Sequence, residues 1–189
     1  AQRVRVAYDV EPGEFLLAQQ LEAAEKPPED EEPDSAEGDF AAGFAAAAVT
    51  IDAQYTTPVH IHAQMEPHAA LAWWEGDRVI VHCASQLLES AQDCVASTFG
   101  IPKEKVRVVS RFIGGGFGGK LPIFADVLLS VMAARELGRP VKTALTRQQM
   151  FHVTTHRTDT VQQLRLGAAP DGTLRAIEHA SWSHTARHD

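Results

Sequence analysis

The sequence predicts an α+β fold of mixed strands and helices. Strand-like runs flank two turn signals, Glu75-Gly76-Asp77 and Pro170-Asp171-Gly172, and each arrangement predicts a β-hairpin. Two runs with helical periodicity, residues 86–99 and 123–137, each stop at a glycine. One of these helices lies between two strand-like runs and can form a crossover. Hairpins together with a crossover favour the α+β class.

The separate elements follow from local periodicity along the chain. Alternating residues 3–9 predict a strand, residues 15–24 a short amphipathic helix, and the alanine-rich residues 39–48 another helix. The strand predicted over residues 49–57 ends before Pro58. Strands are predicted over residues 49–57, 69–74, 78–84, 106–113, 141–145, 160–168 and 173–183. The strand predicted over residues 106–113 runs directly into a glycine-rich segment.

Composition narrows the class of protein. The 189 residues are 44% hydrophobic and 22% charged, which is typical of a globular chain able to bury a core. A net charge of −8 without a basic stripe argues against a nucleic-acid partner. No run approaches the roughly 18 apolar residues that a membrane span requires. Cys83 and Cys94 make no disulfide framework and are expected to be small buried side chains.

The acidic, proline-rich residues 27–35 contain no apolar side chain, so they predict an exposed loop or linker.

The most informative segment is Gly114–Lys120, in which five of the first six residues are glycine. Glycine lets successive backbone amides point at one ligand, and such a turn before a helix makes an anion- or oxo-binding concavity. The segment fits the dinucleotide pattern G-x-G-x-x-G and most of the phosphate-loop pattern. However, Leu121 stands where a phosphate loop needs Ser or Thr. The nearby acidic residues, Asp126 and Glu136, fall inside a predicted helix rather than at a strand end. A purely structural glycine turn remains a further interpretation.

Several motifs in a fixed order resemble the molybdenum hydroxylases, the xanthine dehydrogenase and aldehyde oxidase family. They are Met65-Glu66-Pro67-His68 followed by a hairpin with two tryptophans, Ala84-Ser85-Gln86, the glycine segment, and Arg147–Phe151 leading to Thr155-His156-Arg157. The resemblance covers roughly residues 40–183. It is greatest to the bacterial periplasmic aldehyde oxidoreductase subunits, in which Lys-Leu also follows the glycines.

The resemblance implies the fold of the first molybdopterin-binding domain of the large subunit. Residues 1–25 would be the tail of a preceding hammerhead-like domain, 26–38 an acidic linker, and 39–189 the N-terminal part of a truncated molybdopterin-binding domain. It also implies a molybdenum cofactor of molybdopterin, in bacteria usually with cytosine dinucleotide. A small 2Fe-2S subunit and a medium FAD subunit would complete a heterotrimer that hydroxylates aldehydes or N-heterocycles with water as the oxygen source.

The same resemblance implies the cofactor-binding residues. Gln86 matches a glutamine beside the metal, whose side-chain amide can donate to an oxygen ligand without adding charge. Gly115, Gly116, Phe117 and Gly118 match the backbone and ring that border the metal. No residue of this chain is expected to ligate the metal directly. The general-base glutamate is expected beyond Asp189, so the chain alone is expected to be inactive.

Leu121, with Phe117, is expected to line the substrate pocket. Family members specific for xanthine have a glutamate just after the lysine, where it binds the purine. Leucine cannot form a hydrogen bond to a heterocycle, so the sequence favours an aldehyde substrate.

Other polar residues have plainer interpretations. His60, His62 and His68 suggest zinc, but no cysteine accompanies them, so polar lining or surface positions are expected. Glu66 is expected to be structural, and Lys120 to be solvated or to cap a carbonyl. No targeting signal is seen, which fits a periplasmic or cytoplasmic protein. The alternative functions are a stand-alone, non-catalytic binding module and a nucleotide-binding glycine-loop protein.

Overall fold

A computed structural model describes residues 5–26 and 34–184. The chain divides into two compact units, one of residues 1–59 with 158–189 and the other of residues 60–157. The strands are β1 (Val49–Thr57), β2 (His60–Ile61), β3 (Ala69–Glu75), β4 (Arg78–Cys83), β5 (Val106–Val109), β6 (Val141–Ala144), β7 (His156–Arg157), β8 (Thr160–Ala168) and β9 (Leu174–Ser183). The α-helices are α1 (Phe40–Ala45), α2 (Leu88–Phe99), α3 (Ala125–Leu137) and α4 (Arg147–Val153).

The unit of residues 60–157 is built on a four-stranded mixed sheet of order β5-β4-β3-β6. The hairpin β3–β4 is antiparallel, and α2 carries the chain across to β5, which pairs with β4 in parallel. A parallel pair requires such a crossover, whereas a hairpin needs only a tight turn. This combination of hairpin and crossover confirms the α+β prediction.

The core of this unit lies between the sheet and its two long helices. Alternate residues of the hairpin point into it, and Ala72, Val79 and Val81 are fully buried. They pack in one cluster with Val95 of α2 and Val131 of α3. Small and β-branched side chains fill this layer, which brings the helices close to the sheet.

The other unit contains the three-stranded antiparallel sheet β1-β8-β9. Helix α1 lies close to this sheet at Gly167, where an added Cβ would come within 2.9 Å of the Ala47 Cβ. The Arg165 guanidinium stacks over the rings of Phe40 and Phe44, at 4.9 and 4.7 Å from their centroids. Gly167 and Arg165 lie on the same face of β8, so that face binds the helix.

Local signals set most helix ends. Gly100 and Gly138 follow α2 and α3 with φ of 62° and 60°, the left-handed conformation that favours glycine at this position. Asp39 caps α1 by accepting from the Ala42 amide at 3.0 Å. Thr146 and Gln149 form a capping box at α4, a helix that the sequence analysis did not predict.

Most predicted strands and both long helices are confirmed, with three exceptions. Residues 5–9 form no strand, and residues 3–4 of that prediction lie outside the described residues. The helix predicted over 15–24 is two 3₁₀ turns, Leu17–Gln19 and Leu21–Ala23. The strand predicted over 106–113 ends at Val109, because its register partner His82 lies almost at the end of β4. Most of the acidic segment 27–35 lies outside the described residues.

Candidate functional site

The glycine segment between β5 and α3 folds as a tight loop. Three of its residues have positive φ: Gly115 at 88°, Phe117 at 57° and Gly118 at 98°. Left-handed conformations alternating with ordinary ones turn neighbouring amides toward one side, as in an anion-binding nest. Phe117 is the informative member, because a bulky residue adopts positive φ only when its surroundings impose that conformation.

Gln86 holds this loop from the segment before α2. Its Oε1 accepts from the amides of Gly118 and Lys120, at 3.1 Å each. The backbone amide of Gln86 in turn donates to the backbone carbonyl of Lys120 at 2.8 Å. Since two N–H groups fix the position of Oε1, the Nε2 donor faces away from the loop backbone. Helix α2 begins two residues later than predicted, at Leu88, because Gln86 is bound to the loop.

The tip of the loop presents backbone donors without partners. Within residues 5–26 and 34–184, the amides of Gly115, Gly116 and Phe117 make no hydrogen bond, whereas those of Gly114 and residues 118–121 do. Gly116 itself is buried. A buried amide without a partner is costly, so the Gly116 amide is suited to an acceptor that approaches the loop, with the more exposed amides of Gly115 and Phe117 on either side of it.

Close packing explains why Gly116 is glycine. A Cβ added there would come within 2.3 Å of Gln86 Oε1. The loop backbone therefore lies directly against the Gln86 amide. The Gln86 side chain and the tip of the loop are therefore in direct contact.

The Lys120 side chain is not in the environment that the sequence predicted. It is not solvated but is one of the most deeply buried side chains, with 1% of its surface exposed, and its Nζ lies 2.5 Å from Glu66 Oε2. No phosphate could be reached from this position, so the phosphate-loop interpretation fails on geometry as well as on Leu121. The backbone carbonyl of Lys120 binds Gln86, but its ammonium group caps no carbonyl of the residues that the structure describes.

Glu66 connects to the loop in three ways, as a structural role requires. Its Oε2 accepts from the Gly114 amide at 2.8 Å as well as from Lys120, and its own amide donates to the Gly114 carbonyl at 3.2 Å. Desolvation acts to raise the pKa of Glu66, but the bonds from Lys120 and from the Gly114 amide outweigh it and lower the pKa. Glu66 is therefore an anion at neutral pH, already engaged, and poorly suited to act as a base.

The three histidines do not converge. His68 is buried, its Nε2 donates to the Gly119 carbonyl at 2.9 Å, and its Nδ1 accepts from Gln64 at 3.3 Å. The Nδ1 of His62 donates to the Thr155 carbonyl at 3.2 Å, and His60 lies exposed in β2. In the described part of the chain, no three His, Cys, Asp or Glu side chains are grouped to hold a metal ion.

Phe117 and Leu121 are both exposed, 68% and 40% respectively. They lie at the two ends of a short turn in which the Gly119 amide donates to the Gly116 carbonyl and the Leu121 amide to the Gly118 carbonyl. Both apolar side chains are thus carried by the loop whose tip presents the unpaired amides. A substrate pocket needs such apolar walls beside a few polar groups.

Cys83 offers no reactive thiol, and Cys94 is half-buried rather than buried as expected. Cys83 is buried in β4, and burial, reinforced by the nearby Asp126 carboxylate, raises its pKa to about 11. It is neutral at physiological pH and packs as a small hydrophobe, as predicted.

Arg147 is the supporting residue whose role sequence reasoning missed. Its guanidinium donates to the carbonyls of Gln64 and Met65, at 2.7 and 2.8 Å. It thereby fixes the segment that carries Glu66 and His68. The sequence marks Arg147 only as a member of the Arg147–Phe151 motif. Its partners are backbone carbonyls, which every residue has, so no pattern of side chains predicts this contact.

These residues fit the cofactor that the sequence resemblance implies. The oxygen-rich ligand set of a molybdenum–pterin group accepts hydrogen bonds, and the site offers donors that lack acceptors. The carboxylate that contacts the loop, Glu66, is neutralised by Lys120 and so does not repel such a group. Gln86 and residues 115–117 are brought together as predicted for such a surface, although their contact with a cofactor remains a prediction.

Known proteins with similar sequences indicate the family to which this chain belongs. The chain is 45% identical, over 183 residues, to the molybdenum-binding subunit PaoC of an aldehyde oxidoreductase from Escherichia coli strain K12, covering 97% of this chain and 25% of that subunit. It is 32% identical over 141 residues to a xanthine dehydrogenase molybdenum-binding subunit from Escherichia coli O157:H7, covering 74% and 19%. The chain therefore spans a quarter or less of the length of these relatives.

Two solved structures share its fold. Quinoline 2-oxidoreductase from Pseudomonas putida 86 superposes with a TM-score of 0.80 at 27% identity, covering 95% of this chain and 24% of that one. Aldehyde oxidoreductase from Desulfovibrio gigas gives 0.73 at 27% identity, covering 77% and 16%. Residues 24–188 match the family model described as the molybdopterin cofactor-binding domain. With the loop geometry above, this match shows that the chain belongs to the molybdopterin cofactor-binding domain family of the molybdenum-containing oxidoreductases.

Proposed function

We propose that this chain supplies one wall of the molybdenum-cofactor site in an oxidoreductase that hydroxylates aldehydes, with N-heterocycles as the secondary substrate class. When bound, the cofactor supplies the two-electron oxidation, with water as the oxygen source. The proposal extends the family membership to the activity of a longer protein. The single observation that carries it is the row of unpaired amides at Gly115, Gly116 and Phe117 beside Gln86.

The chain's own residues hold and orient the cofactor in this proposal. The Gln86 Nε2 and the loop amides donate hydrogen bonds, and none of them brings a formal charge to the site. Donors fixed before the reaction need no reorganisation during it, which is the usual source of electrostatic catalysis. The bonds from Gly118 and Lys120 to Gln86 Oε1 provide that fixation.

Phe117 and Leu121 decide the substrate class. Both are apolar and exposed on the cofactor-facing loop, so they offer packing rather than hydrogen bonds. A purine placed against Leu121 would leave polar edges unpaired, which costs about 1–3 kcal/mol per group. An aldehyde with an apolar body suffers no such loss. The identity to PaoC, named an aldehyde oxidoreductase subunit, supports the same choice.

The remaining parts of the enzyme are assigned by the same proposal. The cofactor would be molybdopterin in its cytosine dinucleotide form, and electrons would pass to 2Fe-2S and FAD centres on partner subunits. Residues 1–25 would end a preceding hammerhead-like domain, 26–38 would form the linker, and 39–189 would begin the cofactor domain. In support, both Escherichia coli relatives are named as molybdenum-binding subunits, which implies further subunits. Across the described residues, no helix is long and apolar enough to span a bilayer.

The test uses the complete enzyme, with molybdenum content and steady-state kinetics on an aromatic aldehyde and on xanthine. The unsubstituted enzyme should contain molybdenum and prefer the aldehyde by at least about tenfold, as a loss of roughly 1–3 kcal/mol dictates. Leu121→Glu should narrow this preference by lowering aldehyde turnover. Gln86→Ala is the internal control and should slow both substrates alike, because its amide faces the cofactor.

Two results would contradict the proposal. One is an unsubstituted enzyme that already prefers xanthine or carries no molybdenum. The other is Leu121→Glu leaving the aldehyde rate unchanged while Gln86→Ala alters only one substrate.

A further inference from the structure

Lys120 carries a buried charge that the proposed chemistry does not use. The Lys120 side chain is 0% exposed, and its only partner in the described residues is Glu66, whose side chain is 37% exposed. Removing an ammonium from water costs several kcal/mol, and a well-packed apolar side chain would serve stability as well or better. Stability alone therefore gives little reason for a lysine here.

The position of the ion pair suggests a different reason. Glu66 Oε2 binds the amide of Gly114, the first residue of the glycine loop, while Lys120 is the last. One carboxylate oxygen thus joins both ends of the loop. At Gly114 an added Cβ would come within 2.5 Å of the Glu66 Cβ, so the carboxylate side chain lies directly against the backbone.

Glu66 is itself firmly held. Arg147 fixes the two carbonyls before it, and His68, two residues after it, donates to the Gly119 carbonyl. The tether therefore runs from α4, through the segment 64–68, to both ends of the loop. A change in the separation of Glu66 and Lys120 would move the loop ends and rotate the peptides between them.

We propose that Glu66 and Lys120 are positioning residues, an ionic clamp that sets the direction of the amides of Gly115, Gly116 and Phe117 toward the cofactor. This inference rests on the proposed function. The Lys120 side chain has no exposed surface, and Glu66 Oε2 is occupied by the Gly114 amide and the Lys120 ammonium, so the proposal assigns neither group a direct contact with the reacting atoms. The clamp acts through geometry, and a misplacement of about 1 Å at a catalytic site can cost roughly 100-fold in rate.

The deciding variant in the complete enzyme is the double substitution Glu66→Gln with Lys120→Met. Glutamine can still accept from the Gly114 amide, and the neutral pair leaves no uncompensated charge, so the fold is preserved. We expect an unfolding temperature close to that of the unsubstituted enzyme and above that of Lys120→Met alone. The midpoint potential of the molybdenum should shift, and kcat should fall at least about tenfold with KM within about twofold, as loss of preorganised donors predicts. Loss of molybdenum at an unchanged unfolding temperature is the stronger form of the same result.

A wild-type midpoint potential and kcat in the double variant would show that the pair is only structural, and would overturn the inference. If the double variant fails to fold, Glu66→Asp takes its place, because it keeps both charges and shortens the tether by one methylene. An unshifted potential and kcat in Glu66→Asp would likewise overturn the clamp. Lys103→Met is the matched control, since Lys103 pairs with Asp93 and Glu89 on the surface and should leave potential and kcat unchanged. Absence of molybdenum from the unsubstituted enzyme would instead refute the proposed function, and the clamp with it.

Discussion

At the scale of single residues, Gly116 shows how closely the loop and Gln86 are fitted. Its φ is not positive, so any L-residue could adopt its backbone conformation, and the constraint is space alone. The nearest atoms to an added Cβ are Gln86 Oε1 at 2.3 Å and Cδ at 2.6 Å. A side chain at position 116 must therefore displace the amide that organises the loop.

Gly116→Ala is accordingly expected to reduce both bound molybdenum and turnover in the complete enzyme. Displacing Gln86 breaks two hydrogen bonds to the loop, each worth about 0.5–1.5 kcal/mol, and turns its Nε2 away from the cofactor. Metal content per subunit and kcat are the measurements. Gly76→Ala serves as the control, because the hairpin position is open, and only backbone strain of about 1–2 kcal/mol is added there. Equal metal content and kcat in Gly116→Ala and the unsubstituted enzyme would show that the contact is dispensable.

The residue types in the sequence revealed Gln86 and the glycine loop, but not the residues that hold them in place. The glycines and Gln86 stand out in the sequence because five glycines among six residues have few structural explanations. The Lys120–Glu66 pair spans 54 positions, and no local pattern marks a lysine as buried. Arg147 binds backbone carbonyls 82 and 83 positions away, and every residue has a carbonyl. Long-range polar contacts of this kind leave no periodic trace, which is why their roles could not be predicted.

At the scale of elements, alternation and glycine stops predicted what depends on local structure. The β3–β4 hairpin and the ends of α2 and α3 follow from period-2 alternation and from Gly100 and Gly138. Residues 5–9 also alternate, but no strand in the described part of the chain pairs with them, and a strand without a partner is not stable. The length of β5 was likewise set by its partner β4 rather than by its own apolar run.

The docking of α3 on the sheet yields a stability prediction for the 189-residue chain. Val131 is 0% exposed, and its carbonyl accepts from the Trp74 indole at 3.0 Å. Val131→Ala should lower the free energy of unfolding by about 2 kcal/mol, through lost burial and the cavity left behind. Urea unfolding followed by tryptophan fluorescence measures this loss.

Met132 provides the matched control on the same helix. It is 49% exposed, so Met132→Ala should change the free energy of unfolding by no more than about 0.5 kcal/mol. Equal losses for the two variants would mean that α3 does not pack on the sheet as described.

At the scale of the whole molecule, the proposed cofactor surface is open among the described residues. Phe117 and Leu121 stand exposed, and the amides beside them have no partner among the described residues. Catalysis requires water to be excluded from the reacting groups and the substrate to be held on more than one side. The relatives in which such a chain is found are about four times longer, since it covers 25% of PaoC. Both facts support the proposal that the site is assembled from several segments of a longer protein.

We therefore expect residues 1–189 alone to show no aldehyde turnover. Without opposing walls, water competes with the cofactor for the donors of Gln86 and of the exposed part of the loop, so the net worth of each hydrogen bond falls to about 0.5–1.5 kcal/mol. Three or four such bonds could hardly retain a cofactor at micromolar concentration, which requires about 8 kcal/mol, even before the entropy of association is counted. The assay is reduction of an artificial dye with an aromatic aldehyde, supplied with free cofactor, beside a heat-killed sample and the complete enzyme. Dye reduction above the heat-killed rate would show that this single wall suffices, and that the site is more complete than its exposed loop indicates.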